Sequence, residues 1–369
     1  MASMLSVPTE FDLEFGGGDD QPVQFVDPAG RVTDLGRAYG IDAELSRSLY
    51  RDMFLARRLD ADALALQRQG ELSLWLQSWG QEAAQVGSIR ALRDDDYVFP
   101  SYREHAAAMV RGITPAQLLS QWRGSTHGGW DPAQSNFHLY ALVLGTQTLH
   151  ATGYAMGNVL KGRSSIVATY FGDGAASQGD VNEAFNWAAA GSLPVLFICQ
   201  NNQWAISTPT TRQRRTPLYQ RAAGFGLRSY HVDGNDALAV HAVTSAAAAA
   251  VRRGEGPALI EADTFRMGGH SSSDDPGRYR SSAVTDDWHA RDPLRRLRQL
   301  LADHGTGDAF FTALDQQADK LAADVRTACT SLHDPEFATL FDNVYAGPHP
   351  VMEAEQRTFQ TFITRLDQS

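Results

Sequence analysis

At 369 residues, 43% hydrophobic and 20% charged, the chain has the composition of an ordinary soluble globular protein, long enough for one large domain or two and able to bury roughly three quarters of its unfolded surface. A net charge of -11 argues against a generic nucleic-acid binder, so the clusters Arg212/Arg214/Arg215 and Arg295/Arg296/Arg298 are expected to be solvated faces or partner contacts. Cys199 and Cys329 form no metal or redox motif and suit a reducing compartment. With no basic amphipathic leader and no apolar run of spanning length, the expected location is cytoplasmic.

Residues 1–40 carry Gly16-Gly17-Gly18-Asp19-Asp20 and little periodicity, so 1–42 are expected to be an N-terminal extension that orders only against something else. Residues 43–69 read as a helix, with Leu45, Leu49, Met53, Phe54 and Leu64 at core spacing. Tyr97-Val98-Phe99 is a short strand closed by Pro100, and Ser101-Tyr102-Arg103-Glu104 lies at its carboxyl end. Arg111–Arg123 reads as a helix broken at Gly124. Residues 124–138, bearing Gly, Pro and His, form a candidate active-site loop. Gly145–Leu160 is a small-residue helix suited to close packing.

Ser165 to Phe171 is an apolar, β-branched and aromatic run, hence a buried strand. Gly172 turns the backbone at its end, and Gly174 leaves free space beside the Asp173 carboxylate. Ser177 and Asp180 have capping-box spacing. Val181, Phe185 and Ala188 then mark a helix that stops at Gly191, and Leu193–Cys199 is the next strand. A right-handed crossover makes the two strands parallel, and ligands bind beyond the carboxyl ends of such strands. Asp173 and the pair Asn201-Asn202, separated from Gly174 by 26 residues, converge there. Gly-Asp-Gly alone would be a turn and Asn-Asn alone a loop. On consecutive strands they supply hard oxygen ligands for Mg²⁺, with a backbone carbonyl such as that of Trp204, and phosphate and water completing the shell. That donor set points to thiamin diphosphate. Two further strands, 229–232 and 258–262, flank an alanine-rich helix. Residues 268–283 make a polar loop, and the C-terminal third is helical and amphipathic. The expected fold is α/β: a mostly parallel sheet flanked by helices over 43–330, followed by a helical segment, 331–369.

The run Gly172–Asn202, then Ala205-Ile206-Ser207-Thr208-Pro209 and the loop Gly269-His270-Ser271-Ser272-Ser273-Asp274-Asp275 ending in Tyr279-Arg280, resembles one family. It is the α subunit of the thiamin diphosphate-dependent decarboxylating component of 2-oxo acid dehydrogenase complexes. Gly80-Gln81-Glu82-Ala83 and Tyr102-Arg103-Glu104 fall in the expected order. The resemblance covers about residues 43–345, and the Ala-Ile-Ser-Thr-Pro and Ser-Asp-Asp elements look most like the branched-chain type.

By position, the resemblance implies that Asp173 and Asn202 ligate Mg²⁺ through side chains and Trp204 through its carbonyl. Tyr102 and Arg103 would hold the diphosphate with Gly172, Gly174 and Ala175. Backbone groups of Leu142 and Leu144 would meet the aminopyrimidine, and His270 would be the acid–base residue. Thr146 and Gln147 match a potassium site of some relatives, and Ser271 and Ser281 match serines that eukaryotic relatives phosphorylate; here they read more simply as polar loop groups. Gln200 stands where the family carries a charged residue, Trp204 where it carries Tyr, and the loop from Gly124 to Thr146 is short. Either His127 or His138 could therefore take the family's second active-site histidine.

The family's activity is oxidative decarboxylation of a 2-oxo acid, with acyl transfer to the lipoyl group of an acyltransferase component. Activating the cofactor needs a carboxylate at its aminopyrimidine, which the family supplies from a separate domain. The resemblance thus implies a β subunit in an α₂β₂ assembly. A pyruvate or acetoin dehydrogenase α subunit is the nearest alternative. A nicotinamide-dependent dehydrogenase is disfavoured because Gly172-Asp173-Gly174-Ala175-Ala176-Ser177 lacks the third glycine of the dinucleotide fingerprint. A non-catalytic scaffold would bind no thiamin diphosphate.

Overall fold

Short apolar runs ending in polar residues build the centre of the molecule. The computed structural model describes residues 21–342 and 344–366. Strands β1 (Tyr97–Phe99), β2 (Val167–Gly172) and β3 (Val195–Asn201) come first. A short antiparallel hairpin follows, made of β4 (Trp204–Ala205) and β5 (Thr208–Pro209). Strands β6 (Arg228–Asp233) and β7 (Ala258–Asp263) complete a five-stranded sheet in the order β1-β2-β3-β7-β6. Every neighbouring pair in it is parallel.

Successive side chains of a strand point to opposite faces, and here both faces are covered. Val98, Ala168, Tyr170, Leu196, Ile198 and Ile260 enter one core, with the helices Ala43–Arg68, Glu82–Arg90 and Ala237–Arg252. Phe99, Val167, Phe171, Phe197, Cys199 and Leu259 enter the other, with Thr146–Leu160, Gly179–Ala190 and Leu218–Ala223. Burial on both sides is why β2 and β3 read as unbroken apolar runs rather than alternating ones. The helices Pro293–Asp303 and Asp308–Ser331 extend the first core, whereas Pro350–Leu366 buries no side chain. Among the described residues no helix is long and apolar enough to cross a membrane.

Several expectations are corrected. Residues 21–40 do not wait for an outside partner. Val23 bridges Val232 on the β6 edge, Phe25 is fully buried, and Asp236 Oδ2 accepts the N–H groups of Phe25 and Val26 at 2.7 Å each. The same carboxylate caps Ala237–Arg252 through Oδ1, so one acid starts a helix and docks the N-terminal segment. The Gly16–Asp20 run lies outside the described residues. The Ser177/Asp180 capping box does not form: Ala175–Ser177 makes a 3₁₀ turn, and the next helix begins at Gly179 with no side-chain cap. Arg111 ends a separate helix, His105–Val110, because Gly112 adopts φ +84° and Thr114-Pro115 starts the next with a full capping box. The arginine clusters are not simply solvated. Arg214 is ion-paired to Glu261, and Arg296, 2% exposed, pairs with Asp233 at 2.7 Å. Acids at the carboxyl edge of the sheet draw these arginines inward, something charge counting along the chain does not register.

Candidate active site

β2 and β3 stay in register to Gly172↔Gln200, so Asp173 and Asn201-Asn202 leave adjacent strands at one level. Asp173 is 1% exposed. Its Oδ2 accepts from Gln213 Nε2 at 2.8 Å and from the Thr210 hydroxyl at 3.3 Å, while Oδ1 is buried without a partner. Burial raises its pKa, against the pull of Gln213 and Arg214. Asn202 donates through Nδ2 to Gln81 Oε1 at 3.2 Å and accepts the Trp204 N–H on Oδ1 at 3.3 Å. The β4–β5 hairpin lies directly on this turn. A Cβ at Gly174 would stand 2.7 Å from Ala205 Cβ, so glycine is required for the approach. Gln203 and Ile206 take φ of 72° and 53°, which tightens the hairpin and returns Thr210 and Gln213 over Asp173.

A second group forms at the end of β1. Arg103 is 5% exposed; its guanidinium donates to Gln77 O at 2.5 Å and to His270 O at 2.9 Å. The guanidinium also stands over the Tyr102 ring, 5.4 Å from the centroid, and that ring meets the His270 ring edge-on at 6.0 Å. The His270 N–H donates to Asp274 Oδ2, which also accepts the Tyr279 hydroxyl. A strap over residues 75–81 joins the two groups, since Gln77 touches Arg103 and Gln81 touches Asn202. Asp60 anchors the strap, accepting Trp75 Nε1 at 2.8 Å and the N–H groups of Ser78 and Trp79 at 3.0 and 3.2 Å. Gly80, at φ +94°, passes so close to the Phe265 carbonyl that a Cβ would collide with it.

The other expected residues occupy neighbouring strand ends, helix starts and loops. Gly172 ends β2, and Ala175 is buried in the 3₁₀ turn. Leu142 is 58% exposed and Leu144 half-buried, in the loop whose Ala141 N–H donates to Ser101 O. Thr146 starts its helix; Gln147 donates inward to Tyr170 O at 2.9 Å and leaves Oε1 unpartnered. His138 sits against β1, its Nδ1 3.2 Å from Tyr97 Oη and its ring 4.7 Å from Phe99, whereas His127 is exposed. Ser271 accepts the Ser273 N–H, and Ser281 precedes Ser282–His289 without capping it.

Residues 50–332 match the family model described as the dehydrogenase E1 component. The chain belongs to that family. The α subunit of 3-methyl-2-oxobutanoate dehydrogenase from Mycobacterium tuberculosis is 41% identical over 352 residues, covering 95% of this E1 chain and 96% of the relative. The α subunit of the pyruvate dehydrogenase E1 component from Bacillus cereus is 36% identical, covering 77% of each chain. A mitochondrial 2-oxoisovalerate dehydrogenase subunit alpha 2 from Arabidopsis thaliana is 34% identical, covering 88% of this chain and 71% of the relative. Membership of the E1 family brings thiamin diphosphate with it and leaves the nicotinamide reading without support.

Two titrations in the E1 site are set by burial. Desolvation, with Arg103 and Arg266 nearby, pushes the His270 imidazole down to about 4, against the pull of Asp274. His270 is therefore neutral through the physiological range. Because its folded pKa lies below the unfolded value, its contribution to stability is present above about pH 6.5 and is lost as pH falls toward 4. An NMR titration of the cofactor-free protein should show a His270 midpoint near 4; a midpoint at or above the free value would contradict this effect of burial. Desolvation also pushes Glu104 up to about 7, although Gln200 and Arg103 act the other way. Its Oε1 accepts from Gln200 Nε2 at 2.6 Å, and Gln85 Nε2 donates to Gln200 Oε1 at 3.1 Å.

Sequence reasoning overlooked Gln77, Thr210, Gln213 and Asp60. Gln213 sat inside an arginine run that read as surface, and Gln77 acts through its backbone. Only Asp60, an acid within a helix otherwise patterned for the core, carried a signal.

Proposed function

We propose that this E1 chain, with Mg²⁺ and thiamin diphosphate, carries out the oxidative decarboxylation of a branched-chain 2-oxo acid and passes the acyl group to the lipoyl group of an acyltransferase component. The observation that carries the reading is the bare, buried Asp173 Oδ1 at the end of β2, in register with the end of β3 that leads into Asn202. A buried anionic oxygen with no donor is costly unless a cation meets it, and one carboxylate, one amide oxygen and one carbonyl suit Mg²⁺.

On this reading Asp173, Asn202 and the Trp204 carbonyl hold the metal. Tyr102 and Arg103, with the backbone of Gly172, Gly174 and Ala175, hold the diphosphate; a planar guanidinium fixed by two carbonyls is pre-aimed at phosphate oxygens. Backbone groups of Leu142 and Leu144 meet the aminopyrimidine, and Thr146 with the unpartnered Gln147 Oε1 is the position for K⁺. Bound thiamin diphosphate supplies the nucleophilic carbon and the electron sink for loss of CO₂. Neutral His270 accepts and returns protons, and His138, beside the end of β1, is the second histidine. A β subunit supplies the carboxylate for the aminopyrimidine in an α₂β₂ assembly. Leu142 and Val143, 58% and 72% exposed at the site's edge, suit coverage by that partner. The location is cytoplasmic.

The names of the Mycobacterium tuberculosis and Arabidopsis thaliana relatives favour the branched-chain substrate; that of the Bacillus cereus relative keeps pyruvate as the second reading. Co-expressed with its β subunit, the chain should decarboxylate 3-methyl-2-oxobutanoate with kcat/KM above that for pyruvate by on the order of 100-fold, the scale that an added branched carbon group confers. Pyruvate turnover far above the branched substrate would overturn the assignment.

A further inference from the structure

Two glutamines flank the metal-binding pair, and neither belongs to the ligand set above. Gln81, 1% exposed, precedes the helix Glu82–Arg90, and its Oε1 accepts from Asn202 Nδ2. Gln213 ends the short helix Thr210–Gln213, and its Nε2 donates to Asp173 Oδ2 and, at 3.0 Å, to Thr208 O.

A primary amide has a donor end and an acceptor end. With the donor end of Asn202 engaged by Gln81, its oxygen is turned the other way, where one lone pair remains beyond the Trp204 N–H. A reversed amide would present N–H groups to a cation. On Asp173, Gln213 and Thr210 both engage Oδ2, which leaves Oδ1 as the bare oxygen. Gln81 Nε2 and Gln213 Oε1 are themselves buried and unpartnered, a poor arrangement for amides that only fill space.

We propose that Gln81 and Gln213 are positioning residues that select which oxygen of Asn202 and of Asp173 faces the metal, Gln81 acting as an acceptor and Gln213 as a donor. The inference rests on the thiamin diphosphate–Mg²⁺ reading of the site. It makes one substitution behave oppositely at the two positions. Gln81→Glu keeps the acceptor. Gln213→Glu removes the donor and sets a second carboxylate against Asp173.

The test is an Mg²⁺ titration of the αβ assembly at saturating thiamin diphosphate, read by quenching of tryptophan fluorescence. Gln81→Leu, Gln213→Leu and Gln213→Glu should raise the half-saturating Mg²⁺ concentration by roughly 10–100-fold, the usual cost of losing a partner that orients a metal ligand. Gln81→Glu should stay within about threefold of the parent, under 1 kcal/mol. Equal melting temperatures of the cofactor-free assemblies exclude a folding defect. Should the leucine variants fail to fold, the contrast between the two near-isosteric glutamate variants decides alone. Equal loss in Gln81→Glu and Gln81→Leu, or undiminished Mg²⁺ affinity in Gln213→Glu, overturns the inference. A parent assembly that binds no thiamin diphosphate with Mg²⁺ overturns the underlying reading instead.

Discussion

Asp173→Ala should abolish Mg²⁺-dependent binding of thiamin diphosphate while leaving the cofactor-free αβ assembly folded. The carboxylate is the one formal anion in the proposed ligand set. Deleting one member of a buried charge pair costs about 3–5 kcal/mol, a loss of roughly a few hundred- to a few thousandfold in affinity. Folding should survive because Asp173 in the cofactor-free state is a buried acid whose pKa burial raises, and removing an uncompensated buried carboxylate offsets the lost hydrogen bonds to Gln213 and Thr210. Calorimetric titration with thiamin diphosphate and Mg²⁺, beside a thermal melt without them, measures both. Binding retained within tenfold of the parent would sink the metal assignment and with it the proposed function.

Arg103→Lys is the second large effect expected, although it preserves charge. Arg103 uses separate guanidinium nitrogens for Gln77 O and His270 O, and a lysine ammonium cannot span both carbonyls and a phosphate in one plane. Losing one charged hydrogen bond costs about 1.5–3 kcal/mol, so kcat/KM should fall by roughly 10–150-fold. Because the same guanidinium anchors the His270 loop, kcat should fall together with cofactor affinity. Restoring full turnover by saturating the variant with thiamin diphosphate would reduce Arg103 to a diphosphate anchor and remove its hold on His270.

Much of this was legible from residue types. β2 and β3 announce themselves through apolar runs ending in Gly172 and Asn201, and the crossover rule then brings Asp173 and Asn202 to neighbouring strand ends. Tyr102 and Arg103 follow from their place after β1. Hydrogen bonds made by backbone or across long separations were not legible: Gln77 holds Arg103 through a carbonyl, and Gln213 meets Asp173 only because positive φ at Gln203 and Ile206 folds the hairpin back. Arg214 and Arg296 misled for a related reason. A charge run along the chain reports side-chain type, while burial depends on which acids the sheet edge places opposite. The site roles themselves came from the resemblance, and the geometry adds which groups can touch.

The strap anchored by Asp60 meets Arg103 at Gln77 and Asn202 at Gln81, so these two groups are not carried by independent loops. On the proposed assignment one short span of chain acts as a gauge block between them. Because Gln77 and Gln81 both belong to it, a shift of this span moves both groups together.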